Sequence, residues 1–245
     1  MRPRMAAPPY RDFTFPLNVF MHIITREEGS VPYLHYGFFA DETESLPTAQ
    51  ERSTWMLIER LPPPPARVLD AGSGVGTTLR ILTAMGYDAQ GITPDEKQVA
   101  LIDSPNVRRI RFEDLEPSHY DTVIFQESSQ YIDSAALFAK ARELTAHVIV
   151  FDEFAMEPST LHSYDDFMRA AAANGFEKVE ELDVSRQAVP TIEYFNQRLD
   201  CYRGALIADL GITNEQVDAL IASGIDYRDR YTRGAYVYRL LQFRR

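Results

Sequence analysis

One stretch constrains the fold of this chain more than any other: Arg67-Val68-Leu69-Asp70-Ala71-Gly72-Ser73-Gly74-Val75-Gly76-Thr77-Thr78. It reads as a short apolar strand, an acid, a glycine-rich turn and the start of a helix. A backbone that passes close to a bound ligand needs glycine, because a Cβ would clash. Gly72, Gly74 and Gly76 give three such points in five residues. The N–H groups of the helix that follows would face the ligand. A dinucleotide site usually reads G-x-G-x-x-G, with its acid about 20 residues later. Here the spacing is G-x-G-x-G and the acid, Asp70, comes first. No Gly-Lys-Ser/Thr follows, which excludes a P-loop. The plain alternative is a strand-to-helix turn with glycines for packing alone.

The rest of the chain alternates strand and helix from Arg67 onward, which implies a parallel sheet with right-handed crossovers. The spacing predicts strands at 67–71, 88–92, 107–112, 120–125, 147–151 and about 176–184. Helices are expected at 75–85, about 94–102, 133–144 and 161–174, the last closed by Asn174-Gly175. Tyr236 to Phe243 alternates and suits a last strand inserted at the edge of the sheet. The expected fold is therefore α/β: a doubly wound, Rossmann-like sheet of seven strands, mostly parallel, with the last strand antiparallel and helical cap elements added.

Residues 1–62 read as an N-terminal arm and aromatic lid. The arm is rich in proline and aromatics (Pro8, Pro9, Tyr10, Phe13, Phe15, Pro16, Phe20), and its apolar stretch Leu17 to Ile24 suits one helix. An aromatic loop, Tyr33-Leu34-His35-Tyr36-Gly37-Phe38-Phe39, and a helix over about 48–61 follow. Residues 63–186 form the expected core and 234–245 its final strand. Between them, 187–233 break the alternation and read as two helices, Pro190 to Leu210 and Thr213 to Ser223. Thr213 is the expected N-cap, with Gln216 three residues on.

Composition narrows the function. The 245 residues carry a net charge of −11, whereas a nucleic-acid partner requires a basic face. The single cysteine, Cys201, rules out an internal disulfide framework and fits a reducing, cytoplasmic setting. No apolar run reaches membrane-spanning length, and Arg2 and Arg4 precede no apolar segment of the secretory kind.

The segment Val68 to Gly76 resembles motif I of the class I S-adenosylmethionine (SAM) methyltransferases. There the loop wraps the methionine part of the cofactor and the acid before it orders the loop. That resemblance implies SAM as cofactor, with Asp70, Gly72, Ser73 and Gly74 around it. Gln90-Gly91-Ile92-Thr93-Pro94-Asp95-Glu96-Lys97-Gln98 is similar to the second-strand pattern of the cyclopropane synthase-like and small-molecule branch. Carried over, it implies Thr93 and Gln98 on the ribose side. Asp95 replaces the usual serine and is either the ribose acid or an N-terminal helix acid. Arg111-Phe112-Glu113-Asp114-Leu115 resembles the region flanking the adenine, with Phe112 or Glu113 on the purine, although a surface acidic turn explains it nearly as well. Gln126-Glu127-Ser128-Ser129 resembles the turn after strand 4 in sugar, tocopherol and prenyl-diphosphate methyltransferases, and the matching turn of glycine-betaine-type N-methyltransferases. It implies Gln126 at the cofactor and Glu127 facing the methyl group and the acceptor; the alternative for Glu127 is a helix cap facing water.

Methyl transfer mainly needs alignment of donor and acceptor. A base is required only if the acceptor keeps a proton until attack, and Glu127 is the candidate. His35 and Tyr36 join it as catalytic candidates, because a similar segment folds over the cofactor in related enzymes. Tyr131 is ambiguous between core and pocket. Asp152 and Glu153 end strand 5, which suits either acid/base work or a helix start. His119 and His162 lack ligand spacing, so no metal site is expected. The expected partner is a small-molecule acceptor, without nucleic acid or membrane, and a homodimer is possible. Within this class the acceptor is either polar, taking the methyl on N or O, or apolar and isoprenoid-like, taking it on carbon. A non-catalytic partner protein with the same fold is the other-class alternative, and the glycine spacing disfavours a nicotinamide enzyme.

Overall fold

Residues 10–41 and 43–245 are described by the computed structural model. Arg2, Arg4, Pro8 and Pro9 of the arm lie outside the described residues.

The strands are β1 (Arg67–Ala71), β2 (Asp88–Thr93), β3 (Val107–Arg109), β4 (Thr122–Gln126), β5 (His147–Ala155), β6 (Glu177–Asp183) and β7 (Tyr236–Arg244). They form one sheet in the order β3-β2-β1-β4-β5-β7-β6. Pairing is parallel from β3 through to β5, and β7 runs antiparallel to both β5 and β6. The helices are α1 (Leu17–Glu28), α2 (Leu46–Ile58), α3 (Thr77–Ala84), α4 (Glu96–Leu101), α5 (Ser134–Leu144), α6 (Tyr164–Ala173), α7 (Ser185–Cys201), α8 (Arg203–Leu210) and α9 (Asn214–Thr232).

The central strands are apolar on both faces because both faces are covered. Leu69, Val123, Phe125, Val148 and Val150 point to one layer, where Phe138 of α5 and Phe167 of α6 pack. Val68, Ile124, Ile149 and Phe151 point to the other, against Leu57 of α2 and Leu79 of α3. Period-two alternation thus divides each strand between two cores. A third cluster joins the arm (Tyr10, Phe13, Val19) to the late helices (Leu199, Leu206, Val217).

Four expectations change in detail. Strand β3 stops at Arg109 rather than reaching residue 112, because Phe112 turns inward in a short 3₁₀ helix to pack its ring 5.0 Å from that of Phe125. Strand β5 runs four residues past Phe151, since β7 pairs with it along its whole length, including Asp152↔Arg239 and Glu153↔Tyr238. Asp152 and Glu153 are therefore strand residues and start no helix. The insertion has three helices, not two: the chain bends at Tyr202 between α7 and α8. The expected start of the last helix is present, with Thr213 and Gln216 forming a reciprocal capping box.

Candidate functional site

In an open α/β sheet, ligands bind beyond the carboxyl ends of strands where the winding direction reverses. Here that point lies between β1 and β4, which pair through Asp70↔Ile124. A cavity of about 640 Å³ opens there, within the range of roughly 300–1,000 Å³ usual for small-molecule sites.

The β1 loop forms its floor. Gly72 and Ser73 both donate their N–H to Ile92 O, at 2.9 and 3.0 Å. Ser73 Oγ donates to Asp70 O at 3.0 Å. Asp70 itself is 3 % exposed, and its Oδ2 has no hydrogen-bond partner among the described residues. Burial pushes its carboxyl up to about 7. Two of the glycines are also required by the protein's own packing. A Cβ on Gly72 would meet Ser128 Cβ at 2.3 Å, and one on Gly76 would meet Ile102 Cγ2 at 2.7 Å. Both residues are also left-handed. Close approach of protein to protein already demands glycine at these two positions.

The second wall comes from the end of β2. Thr93 Oγ1 donates to Gln98 Oε1 at 2.6 Å. Asp95 caps α4: its Oδ1 accepts from Lys97 N at 2.8 Å and from Gln98 N at 3.4 Å. Of its two sequence readings, the helix acid is the one realised in this geometry, although Asp95 still lines the cavity. Phe112, buried, and Glu113, paired with Arg111 at 2.9 Å, border the same space. Thr14 to Leu17 of the arm complete the wall.

The end of β4 supplies Gln126 and Glu127. Gln126 Oε1 accepts from Thr78 Oγ1 at 3.3 Å, and its Nε2 donates to Thr54 Oγ1 at 3.3 Å. Glu127 has φ +53°, the left-handed region that a non-glycine residue adopts only when its surroundings hold it there. Its Oε1 accepts from Tyr36 N and from Tyr238 OH, both at 2.5 Å. Burial pushes the carboxyl well above the ordinary range, and Glu153 and Asp152 push it the same way. Glu127 caps no helix; Asp133 caps α5.

His35 lines the cavity but is fully engaged. Its Nδ1 lies 2.9 Å from Tyr36 O and its Nε2 lies 3.1 Å from Thr54 Oγ1. Burial lowers its pKa to about 4, so it is uncharged at neutral pH. Tyr36 reaches Glu127 through its backbone N–H, while its ring stacks on Tyr238 with centroids 5.7 Å apart. Tyr131 stands at the rim, 84 % exposed, and belongs to no core.

Sequence reasoning missed Tyr238 and Tyr231. Tyr231 OH donates to Glu153 Oε1 at 2.5 Å, and burial lifts the Glu153 carboxyl to about 7. The signal for Tyr238 lay in the alternation of β7, which puts Tyr236, Tyr238 and Leu240 on one face.

No protein-family model matches the chain, and no curated protein matches it by sequence. Solved structures match by shape. A 4+2 cyclase, SpnF, superposes with a TM-score of 0.78 at 19 % identity, covering 98 % of each chain. A cyclopropane synthase from Mycobacterium tuberculosis gives 0.78 at 15 % identity, over 98 % of this chain and 99 % of that one. Geranyl diphosphate C-methyltransferase from Streptomyces coelicolor, crystallised with Mg²⁺, geranyl diphosphate and S-adenosyl-L-homocysteine, gives 0.66 at 17 % identity, over 98 % and 100 %. With the sheet order and the site at the β1/β4 crevice, these likenesses place the chain on the Rossmann-like fold of the class I SAM-dependent methyltransferases.

Proposed function

We propose that the protein is a SAM-dependent methyltransferase acting on a small molecule. One observation carries the reading. The cavity at the switch point holds, on one side, a buried Asp70 whose Oδ2 lacks a partner among the described residues and, on the other, Glu127 at the end of β4. A buried carboxylate oxygen without a partner is costly. The α-ammonium of SAM would satisfy it. Because one fold serves many chemistries, and a cyclase shares this one, the reading rests on the site.

In this reading Gly72, Ser73 and Gly74 hold the methionine part. Thr93 and Gln98 hold the ribose: they bond each other but keep an unused amide donor and hydroxyl lone pair for its hydroxyls. Phe112 and Glu113 flank the adenine, and Gln126 lies between cofactor and helix α2. When bound, SAM supplies an electrophilic methyl on a sulfonium. Glu127 accepts the acceptor's proton or offsets positive charge that develops on it. His35 and Tyr36 act through Glu127: the His35 ring fixes the Tyr36 carbonyl, and the N–H of the same residue holds the carboxylate.

The aromatic loop and the insertion form the cap over the acceptor, completing the division into arm and lid (1–62), core (63–186), insertion (187–233) and final strand (234–245). In support, Gly37 N donates to Thr191 Oγ1 at 3.0 Å and Phe39 N to Gln187 O at 3.2 Å. Thermal unfolding with S-adenosylhomocysteine (SAH) or with NAD(H) tests the proposal. Ligand at 100 times its Kd adds about 2.7 kcal/mol of stability. A rise with SAH alone is expected; no rise with SAH, or a rise with NAD(H), contradicts the reading.

A further inference from the structure

Beside the cofactor loops, tyrosines and carboxylates from five separate segments converge. Glu127 comes from the end of β4, Glu153 from β5, Tyr238 from β7, Tyr36 from the aromatic loop, and Tyr227 and Tyr231 from α9. We propose that the acceptor is a basic amine, held as its ammonium ion in the box these six residues form. The inference rests on the methyltransferase reading and names the acceptor class for that same site.

The box is built around cross-strand register. Glu153 sits opposite Tyr238 in the β5–β7 ladder, so both side chains leave the same face. Tyr238 OH reaches across to Glu127, and Tyr231 OH reaches down to Glu153. The Tyr36 ring lies on that of Tyr238 with planes 28° apart. Glu127, Glu153, Tyr36 and Tyr227 each keep part of their surface accessible, and of the six Glu127 lines the main cavity.

Ionised together, the two carboxylates of the box would lack a counter-charge. Among the described residues, no basic side chain contributes to holding Glu127 or Glu153 ionised. The arginines of α9 and the turn after it are committed elsewhere: Arg228 to Asp229, Arg230 to Asp226, and Arg233 to Glu157. Two enclosed carboxylates without a counter-charge are costly, and a cation that enters between them removes that cost. Tyrosine ring faces add cation–π attraction, as in the aromatic cages that bind ammonium groups. An anionic acceptor finds no such match. Among the described residues, the one arginine lining the cavity, Arg111, stands next to Phe112 and is paired with Glu113.

The chemistry balances with these residues. The ammonium gives one proton to the Glu127 carboxylate. The freed nitrogen lone pair forms the N–C bond as the C–S bond breaks, with its electron pair remaining on sulfur. The N-methylated ammonium and a neutral thioether result, and Glu127 then loses its proton to water.

The test uses NMR titration of the full chain saturated with SAH. The probes are choline, its neutral carbon analogue with a tert-butyl group in place of trimethylammonium, and the anion tert-butylacetate. Choline, which imitates a methylated product, is expected to bind about 10-fold tighter than the carbon analogue or more, and the anion weakest. Glu153→Gln and Tyr231→Phe should each reduce that preference while SAH affinity, which reports an intact fold, stays unchanged. Failure of choline to bind overturns the inference. Equal or tighter binding of the neutral or anionic probe does so too, as does a preference that survives both substitutions. If SAH binds without any cation preference, only the amine assignment falls; if SAH itself does not bind, the methyltransferase reading falls.

Discussion

The hydroxyl of Tyr238 donates to Glu127 Oε1 at 2.5 Å, across 111 residues of chain. The last strand to be made thus fixes a carboxylate at the centre of the sheet. A hydrogen bond to a charged group contributes about 1.5–3 kcal/mol. Tyr238→Phe should therefore lower methyl transfer about 10- to 100-fold with little change in SAH affinity. The donor also holds the Glu127 pKa down against burial. A base works ionised, so activity rises with pH as Glu127 loses its proton. Removing the donor raises that pKa further, and the rising limb of the pH–rate profile should move to higher pH. A limb that stays in place contradicts the role given to Glu127.

Asp70 should trade stability for binding. Its ordinary pKa of 3.8 rises to about 7 on folding. The folded state therefore binds its proton more tightly than the unfolded state. Stability falls as pH rises from about 4 to about 7, and the loss stays constant above that. Asp70→Asn removes this cost. At neutral pH the ligand-free variant should be more stable in urea, by on the order of 1–4 kcal/mol, while SAH affinity drops. A variant that is less stable at neutral pH contradicts the isolation of Oδ2.

Asp95 and its neighbours separate capping from binding. Asp95→Ala should cost about 0.5–2 kcal/mol of stability through the lost N-cap. Gln98→Ala should weaken SAH more than Asp95→Ala does, measured by calorimetry. The reverse order makes Asp95 the ribose acid.

Gly72→Ala places a Cβ against Ser128 and forces alanine into a left-handed conformation. The β1 loop and the Glu127 turn should be pushed apart, with a loss of stability of about 1–3 kcal/mol. Adding Ser128→Gly removes the atom that is struck and should recover part of the loss in urea denaturation. No recovery means that backbone strain alone is responsible.

Much of this architecture was legible in the chain because it is local. The alternation of apolar runs and helical stretches marked the strands, with β1 at the residues expected, and Gly72-Ser73-Gly74 marked the crevice. Thr213 and Gln216 announced the capping box three residues apart. What stayed hidden depends on contacts between distant segments. Nothing near Gly72 reveals that Ser128 lies against it, nor does the neighbourhood of Tyr238 reveal Glu127. The ambiguity of Asp95 was one of geometry: the same carboxylate suits a ribose or a helix start, and only the Lys97 and Gln98 N–H directions assign it to the cap. Strand β5 outran its apolar run because β7 pairs with Asp152 and Glu153 as readily as with the valines before them.

The account stands most directly on calorimetric titration with SAH of the parent protein and of Asp70→Asn. It predicts a single site per chain in the parent and at least about a 10-fold loss of affinity in the variant, the loss of one buried charged contact. No binding to the parent, or equal affinity in both, would contradict it.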